Sequence, residues 1–332
     1  MLSPLGFCRN TPWKFASSSI ISFIFVAISQ FSLTLIPHYF SSFSLLAQLS
    51  LSAVLLLAIS GLGKTCRLFL FRVHALAPAF VFFNILFIWG VHVTVVRKEI
   101  SYLWSIVFNA ECVLLIFGLY SIVYGDPGHV AYKDGTVTEL LQNEFSDSIS
   151  DTEEHRSLKL DAFCEQDIPE NSVPMTRIRY CKYCRAYIRG FDHHCPAFGN
   201  CIGQKNHLLF MALLVGFVMV EASYIACSTQ FITKSKIRNE VMLESTLFGN
   251  LAISTRLFSI LQVLWQVLFL YWHLYCICVN IKTDEWINWN KYPEFQNLTQ
   301  FHPEQSYLEP CFRNPYDKGV LTNIKEFLSL KE

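Results

Sequence analysis

Six long apolar segments limit what this chain can fold into more than any other feature of its sequence. They cover about residues 19–37, 44–62, 75–96, 102–124, 207–232 and 254–280. Each is close to the roughly 20 helical residues that cross about 30 Å of bilayer hydrocarbon. A helix also satisfies its own backbone hydrogen bonds, as hydrocarbon demands. The sequence therefore predicts an all-α polytopic membrane protein with about six transmembrane helices.

The composition supports a membrane partner and argues against a nucleic-acid partner. Hydrophobic residues make up 52% of the 332 positions and charged residues 16%, whereas soluble chains carry about 25% charged residues. The formal net charge is +0, so no overall positive charge would attract a polyanion. We therefore expect the lipid bilayer as a partner and no nucleic acid.

Basic residues in the short connecting segments predict the orientation. Arg9 and Lys14 precede the first apolar segment, and three more basic residues lie between the second and third. Short loops rich in Lys and Arg stay cytoplasmic. Alternation then makes 125–206 and the tail 281–332 cytosolic, and places the loop 233–253 on the other side, although that loop is also basic.

These features divide the chain into five predicted regions. The first holds four spans, the second is an acidic linker, the third is rich in cysteine, the fourth holds two spans, and the fifth is a cytosolic tail. Their predicted bounds are 1–124, 125–163, 164–206, 207–280 and 281–332.

Four of the 12 cysteines lie in one polar stretch, at Cys181, Cys184, Cys195 and Cys201. A C-x2-C pair such as Cys181 and Cys184 is typical of two thiolates that reach one zinc ion from a tight turn. Metal binding can also supply the folding energy of a small segment without an apolar core. We therefore predict a zinc-stapled cysteine-rich domain between spans four and five.

The spacing leaves two ligand sets open. In one, all four cysteines bind zinc. In the other, His194 replaces Cys195 as a ligand and Cys195 stays free beside Asp192 and His193. A thiol next to a base and an orienting carboxylate is the arrangement that activates a nucleophile.

Four motifs resemble those of the DHHC family of protein S-acyltransferases. The central motif is Asp192-His193-His194-Cys195-Pro196, followed by Asn200-Cys201-Ile202-Gly203 and Asn206. The flanking motifs are Asp126-Pro127-Gly128, Lys282-Thr283-Asp284-Glu285 and Asn314-Pro315-Tyr316 with Asn323. The second of these flanking motifs has Lys282 where the family pattern has threonine. Together the motifs cover roughly residues 125–330.

The resemblance implies a role for each matching residue. Cys195 would be the acylated nucleophile, His193 its base, and Asp192 the residue that orients His193. A single structural zinc would be held by Cys181, Cys184, His194 and Cys201. Tyr316 and Asn323 in the tail would brace the cysteine-rich domain against the spans.

The activity implied is protein S-acylation. A long-chain acyl group, palmitoyl in the expected case, would pass from acyl-CoA through acyl-Cys195 to cysteine thiols of membrane-associated proteins. The enzyme would be a multi-pass endomembrane protein of the Golgi, ER or plasma membrane, with its catalytic domain in the cytosol. Contacts with CoA phosphates or with anionic headgroups are expected from Arg179, Lys182, Arg185 and Arg189.

The sequence also departs from the family pattern. Tyr180 and Tyr187 stand where the family has two ligands of a second zinc, and 167–170 lacks the upstream cysteine pair, so we predict one zinc. Ala197 replaces a tryptophan beside the reactive thiol. These departures support an alternative, a catalytically weak or inactive zinc-binding membrane scaffold.

Overall fold

The structure is a computed structural model that describes residues 12–69, 77–130, 177–237, 247–297 and 311–329. Several of the predictions fall partly or wholly outside these described residues. They are the acidic linker beyond residue 130, the 167–170 segment, residues 238–246 of the predicted loop, and residues 298–310 and 330–332 of the predicted tail.

Helices dominate the described part of the chain. They are α1 (Pro12–Leu33), α2 (Leu35–Tyr39), α3 (Leu45–Phe69), α4 (Ala77–Thr94), α5 (Tyr102–Tyr124), α6 (His207–Ile237), α7 (Leu247–Cys278), α8 (Thr283–Asn288) and α9 (Val320–Ser329). Short 3-10 helices lie at Val96–Lys98, Trp289–Lys291 and Pro293–Phe295.

The predicted number of membrane spans is confirmed. Within the described residues, six helical stretches are long and apolar enough to cross a bilayer: Ala16–Tyr39, Leu45–Gly63, Ala77–Lys98, Tyr102–Tyr124, His207–Ser235 and Leu247–Cys278. The last one begins seven residues before the predicted start at 254. Its first turns carry buried polar residues, and Ser254 and Thr255 donate hydrogen bonds to the Leu251 carbonyl at 3.1 and 2.8 Å. Such back-bonded hydroxyls fit within a helix, but they interrupt an apolar run.

The expectation of an all-helical protein was wrong in one region. Residues 178–202 form two antiparallel hairpins, β1 (Ile178–Cys181) with β2 (Ala186–Arg189) and β3 (His193–Cys195) with β4 (Asn200–Ile202). A third pair joins Gln296–Asn297 (β5) to Cys311–Phe312 (β6). The polar segment lacks the apolar periodicity of a helix, and its tight turns favour hairpins.

The spans pack through a shared apolar core and a few polar contacts. Phe108 of α5, and Phe210 and Tyr224 of α6, are fully buried in it. The Trp89 indole N–H donates to Asn109 Oδ1 at 2.6 Å, which links α4 to α5. Polar side chains at membrane depth are expected to bond between helices in this way.

The β3–β4 hairpin is attached to the end of α5. The Asn200 amide donates to the carbonyls of Ile122 and Gly125 at 2.8 and 2.9 Å. Just beyond, Asp126 accepts hydrogen bonds from the backbone N–H groups of Gly128 and His129 at 2.9 and 2.8 Å. These backbone bonds help to lower the pKa of Asp126 although burial opposes it, so the carboxylate stays charged and holds the turn.

The backbone of Gly203 packs tightly against the segment that follows α5. A Cβ at this position would lie too close to the Pro127 carbonyl oxygen for any side chain. We therefore expect Gly203→Ala to force the hairpin away from α5 and to cost about 1–3 kcal/mol of stability. Thermal unfolding of the detergent-purified protein measures this. Gly90→Ala is the matched control, since a Cβ at Gly90 meets no atom within 4 Å, and equal melting temperatures for the two variants would contradict the prediction.

Candidate active site and metal cluster

The first hairpin brings Cys181 and Cys184 together. Cys181 ends β1, and Cys184 lies in the turn that leads to β2. The turn is closed by Arg185, whose φ of 54° lies in the left-handed region. The backbone N–H of Cys184 donates to Cys181 Sγ at 3.4 Å. Both sulfurs therefore point to the same side of the turn.

The second hairpin adds His194 and Cys201, which face each other in its register. Successive side chains of a strand point to opposite faces. His193 and Cys195 therefore lie on the face of β3 opposite to that of His194. One short strand thus serves two sites.

The four side chains of Cys181, Cys184, His194 and Cys201 form a cluster that could hold a metal ion. Their ligand atoms all lie within 4.8 Å of one another. His194 Nδ1 is 3.8, 3.4 and 3.6 Å from the sulfurs of Cys181, Cys184 and Cys201. Cys195 lies outside this group.

Asp192, the residue before β3, forms a buried pair with His193. Asp192 Oδ2 is 2.7 Å from His193 Nδ1, and the Asp192 side chain is almost completely buried. Burial favours the neutral carboxyl group, but the hydrogen bond from His193 and nearby positive charge outweigh it and lower the pKa of Asp192. Burial likewise opposes protonation of His193, yet its interactions with Asp192 and Cys195 raise its pKa to about 9.

Thr283, just after the last span, completes the hydrogen bonding of Asp192. Its backbone N–H donates to Oδ1 and its hydroxyl to Oδ2, both at 3.0 Å. The backbone N–H of Asp284 also donates to the Asp192 carbonyl at 2.9 Å. The sequence placed Thr283 in a family motif but assigned it no role; its position directly after an apolar span was the available signal.

Lys282, next to Thr283, makes a contact with the start of α6. Its Nζ lies 3.2 Å from Nδ1 of His207, the first residue of α6. The Lys282 backbone N–H donates to Glu285 Oε2 at 2.9 Å. Burial lowers the pKa of Lys282 and raises that of Glu285. The lysine at this family position is therefore accommodated by neighbouring acceptors.

Asp192, His207 and His273 form a second group whose ligand atoms lie within 4.8 Å of one another. A metal ion fits poorly here, because the Lys282 ammonium group is bound to His207 and would repel a cation. The Asp192 oxygens also already accept the bonds described above. The cysteine-rich cluster is therefore the better metal site of the two among the described residues.

The tail braces the end of the last span. The amide of Asn323 in α9 donates to the Cys278 carbonyl at 2.8 Å, and that of Asn314 to the Val279 carbonyl at 2.6 Å. Arg177, which leads into β1, stacks over the Tyr316 ring at 3.5 Å. It also pairs with Glu285 at 3.0 Å. Tyr316 and Asn323 thus occupy the bracing position expected for them.

The residues at which this chain departs from the family pattern pack against their neighbours. Tyr180 and Tyr187 face each other in the β1–β2 register, with ring centroids 5.1 Å apart. Ala197 lies half-buried against the apolar core in the turn between β3 and β4. Of the four basic residues expected near a ligand, Arg179 is engaged by Glu294 and by the Tyr292 ring. The other three are exposed.

The site combines a buried Asp–His pair beside a thiol with a neighbouring cluster of cysteines and histidine, in a helical membrane protein. This is the combination that the DHHC motifs predict. The model of the DHHC palmitoyltransferase family matches residues 163–290. The chain therefore carries a DHHC palmitoyltransferase domain, and the resemblance seen in its motifs is confirmed.

Curated relatives agree with this match. Palmitoyltransferase ZDHHC17 of Mus musculus is 26% identical over 241 residues, 68% of this chain and 33% of the relative. Palmitoyltransferase ZDHHC18 of Rattus norvegicus is 31% identical over 112 residues, 33% of this chain and 28% of the relative. Probable protein S-acyltransferase 6 of Arabidopsis thaliana is 26% identical over 151 residues, 45% of this chain and 32% of the relative. The chain spans about a third of the length of the curated relatives it matches.

The cluster geometry predicts the metal content of the purified protein. We expect Cys201→Ser to lose most of the bound metal, because Cys201 is buried in the cluster. Elemental analysis by plasma mass spectrometry measures this. Cys311→Ser is the control, since the Cys311 thiol is exposed and lies outside the cluster; similar metal content in both variants would exclude the cluster as the binding site.

Proposed function

We propose that the chain is a protein S-acyltransferase that uses Cys195 as its nucleophile. The observation that carries this proposal is the buried Asp192–His193 pair, hydrogen-bonded at 2.7 Å. His193 shares strand β3 with Cys195, and the segment matches DHHC palmitoyltransferases. A thiol activated by a neighbouring imidazole is the arrangement that thioester exchange requires.

The reaction would run in two balanced steps. In the first, Cys195 gives its proton to His193 and attacks the acyl-CoA thioester; the C–S bond to CoA breaks, and the CoA thiolate takes the proton from His193. In the second, a thiol of the protein substrate attacks the acyl-Cys195 thioester and regenerates the free Cys195 thiol. His193 moves a proton in each step, while Asp192 and Thr283 keep its ring oriented.

The surroundings of Cys195 suit an acyl group. Cys195 is only 6% exposed and belongs to the same apolar cluster as Phe198, Phe210 and Leu214. An acyl chain on its sulfur would therefore lie against the spans, where each buried CH2 contributes about 0.8 kcal/mol. This favours a long-chain donor, palmitoyl-CoA in the expected case.

Zinc fits the cluster of Cys181, Cys184, His194 and Cys201. Zinc–ligand lengths of about 2.3 Å for sulfur and 2.1 Å for nitrogen give tetrahedral edges of about 3.6 Å between sulfur and nitrogen. The Nδ1–sulfur distances of 3.4, 3.6 and 3.8 Å agree with this. A single zinc held there would staple the two hairpins, and this chain's own residues would do the chemistry on the opposite face of β3.

We propose that the site lies on the cytosolic face of an endomembrane of the Golgi, ER or plasma membrane. The support is the excess of basic residues before the first span and between the second and third, which favours a cytoplasmic location for the ends that carry the cysteine-rich domain. Its substrates would be cysteine-bearing proteins held at that membrane surface. No observation favours the inactive scaffold over this activity.

Labelled palmitoyl-CoA tests the nucleophile. We expect purified wild type to take up label that hydroxylamine releases, and Cys195→Ser to take up none, because its hydroxyl group is a far weaker nucleophile near neutral pH. Cys311→Ser controls for acylation of an exposed thiol and should label like wild type. No label on folded, metal-loaded wild type would instead support the scaffold.

Replacing Thr283 tests the orientation of the Asp192–His193 pair. Thr283→Val removes the hydroxyl donor to Asp192, and loss of one hydrogen bond to a charged group should slow acylation of Cys195 about tenfold. Thr283→Ser keeps the hydroxyl and should stay close to the wild-type rate. Single-turnover labelling measures both, and equal rates for Val and Ser would remove Thr283 from the mechanism.

A further inference from the structure

A cavity lies at the end of the helical bundle opposite the cysteine-rich hairpins. It has a volume of about 190 Å³, equal to about six water molecules at roughly 30 Å³ each. One wall comes from the hairpin of the first two spans and carries Pro37, Ser41, Phe43, Leu45 and Gln48. The other wall comes from α6 and α7 and carries Ile232, Ile253 and Arg256.

Arg256 is the one charged group among the residues that line this cavity. Its Nε is buried and makes no hydrogen bond. A guanidinium group on a membrane helix is costly unless an anion or water neutralises it. Among the described residues, this cation has no ion-pair partner.

The depth of Arg256 in the bilayer indicates where its counter-ion comes from. Helix α7 ends at Cys278, and the 20 residues of 259–278 cover about 30 Å at 1.5 Å per residue, the thickness of the hydrocarbon. With Cys278 taken at one boundary, Arg256 would lie three residues beyond the other, about 4.5 Å outside the hydrocarbon. That is the level expected for the phosphate groups of that leaflet.

The other residues that line the cavity also suit a lipid. Phe43, Leu45, Ile232 and Ile253 supply an apolar wall, while Ser41 adds a hydroxyl group. The Gln48 amide donates to the carbonyls of Phe40 and Phe43, both at 3.1 Å, and so holds the turn between α2 and α3 in place. A guanidinium fork binds phosphate oxygens in a bidentate manner.

From this arrangement we propose that the first two spans and α7 together form a binding site for the phosphate of a phospholipid headgroup, with Arg256 as its cationic ligand. The site lies at the opposite end of the bundle from Cys195 and is independent of the proposed acyl transfer. It gives the first two spans a purpose, since they supply five of the eight lining residues. The lipid would join these spans to the last two.

Lipid binding by the purified full-length chain tests the proposal. The probe is dioleoyl phosphatidylglycerol titrated into the detergent-solubilised protein, with the bound lipid counted by native mass spectrometry. We expect one tightly bound lipid on wild type and about tenfold or weaker binding to Arg256→Gln, because a charge-assisted contact is lost. Lys234→Gln is the control, since Lys234 is an exposed cation near the same end that donates to the Glu99 carbonyl and does not line the cavity.

Two further ligands test whether binding needs the phosphate group and whether it needs the acyl chains. Dioleoylglycerol has the same chains without phosphate and should not bind at that site; equal binding would reduce the cavity to an apolar groove and overturn the proposal. Inorganic phosphate should not displace the lipid; displacement at equal affinity would make this a free-phosphate site.

A second variant keeps the test decisive if Arg256→Gln does not fold. Ser41→Trp retains the arginine and fills the cavity from an exposed position, so it should lose the lipid as well. Unchanged lipid binding by this variant, or by a folded Arg256→Gln, would refute the site.

Discussion

The structure depends on one buried carboxylate. Asp192 is cut off from water, and burying such a charge is strongly unfavourable unless hydrogen bonds replace its hydration. Its oxygens accept from His193 and from two groups of Thr283, while its backbone pairs with Ile202 and Asp284. Three segments separated in sequence must therefore meet at this residue before its charge is satisfied. The position of Cys195, three residues further along the chain, follows from that requirement.

The contacts around Asp192 extend into the tail and the spans. Lys282 reaches His207 at the start of α6, Glu285 pairs with Arg177 before β1, and Arg177 stacks on Tyr316. Each charged group is buried or half-buried and faces a partner from another segment. Removing one member of such a network leaves the others unpaired at a cost larger than that of the single contact. These contacts attach the cysteine-rich hairpins to the membrane helices without any contribution from a metal ion.

The sequence predicted the six candidate spans and the four residues that cluster in the structure, but not the contacts that connect them. Apolar length alone identified six spans, since hydrocarbon sets a minimum that few soluble helices meet. The polar start of α7 was missed because Asn250, Ser254 and Thr255 are buried by protein there. The hairpins were not predicted, and spacing could not choose between Cys195 and His194 as a ligand. That choice depends on which residues of β3 and β4 face each other, a property of register rather than of composition. The partners of Lys282 and Thr283 lie 75 and 91 residues away in the chain, beyond the reach of any local pattern.

The alternation along β3 also limits how this segment can change during evolution. His194 faces the cluster of thiols, and His193 and Cys195 face the spans, because neighbours on a strand point in opposite directions. Substitutions preserve that assignment, but one inserted or deleted residue between Asp192 and Cys195 would exchange the two faces. His194 would then face the membrane spans, and Cys195 would face the cluster of thiols. We therefore expect this strand to tolerate a change of residue type more readily than a change of length.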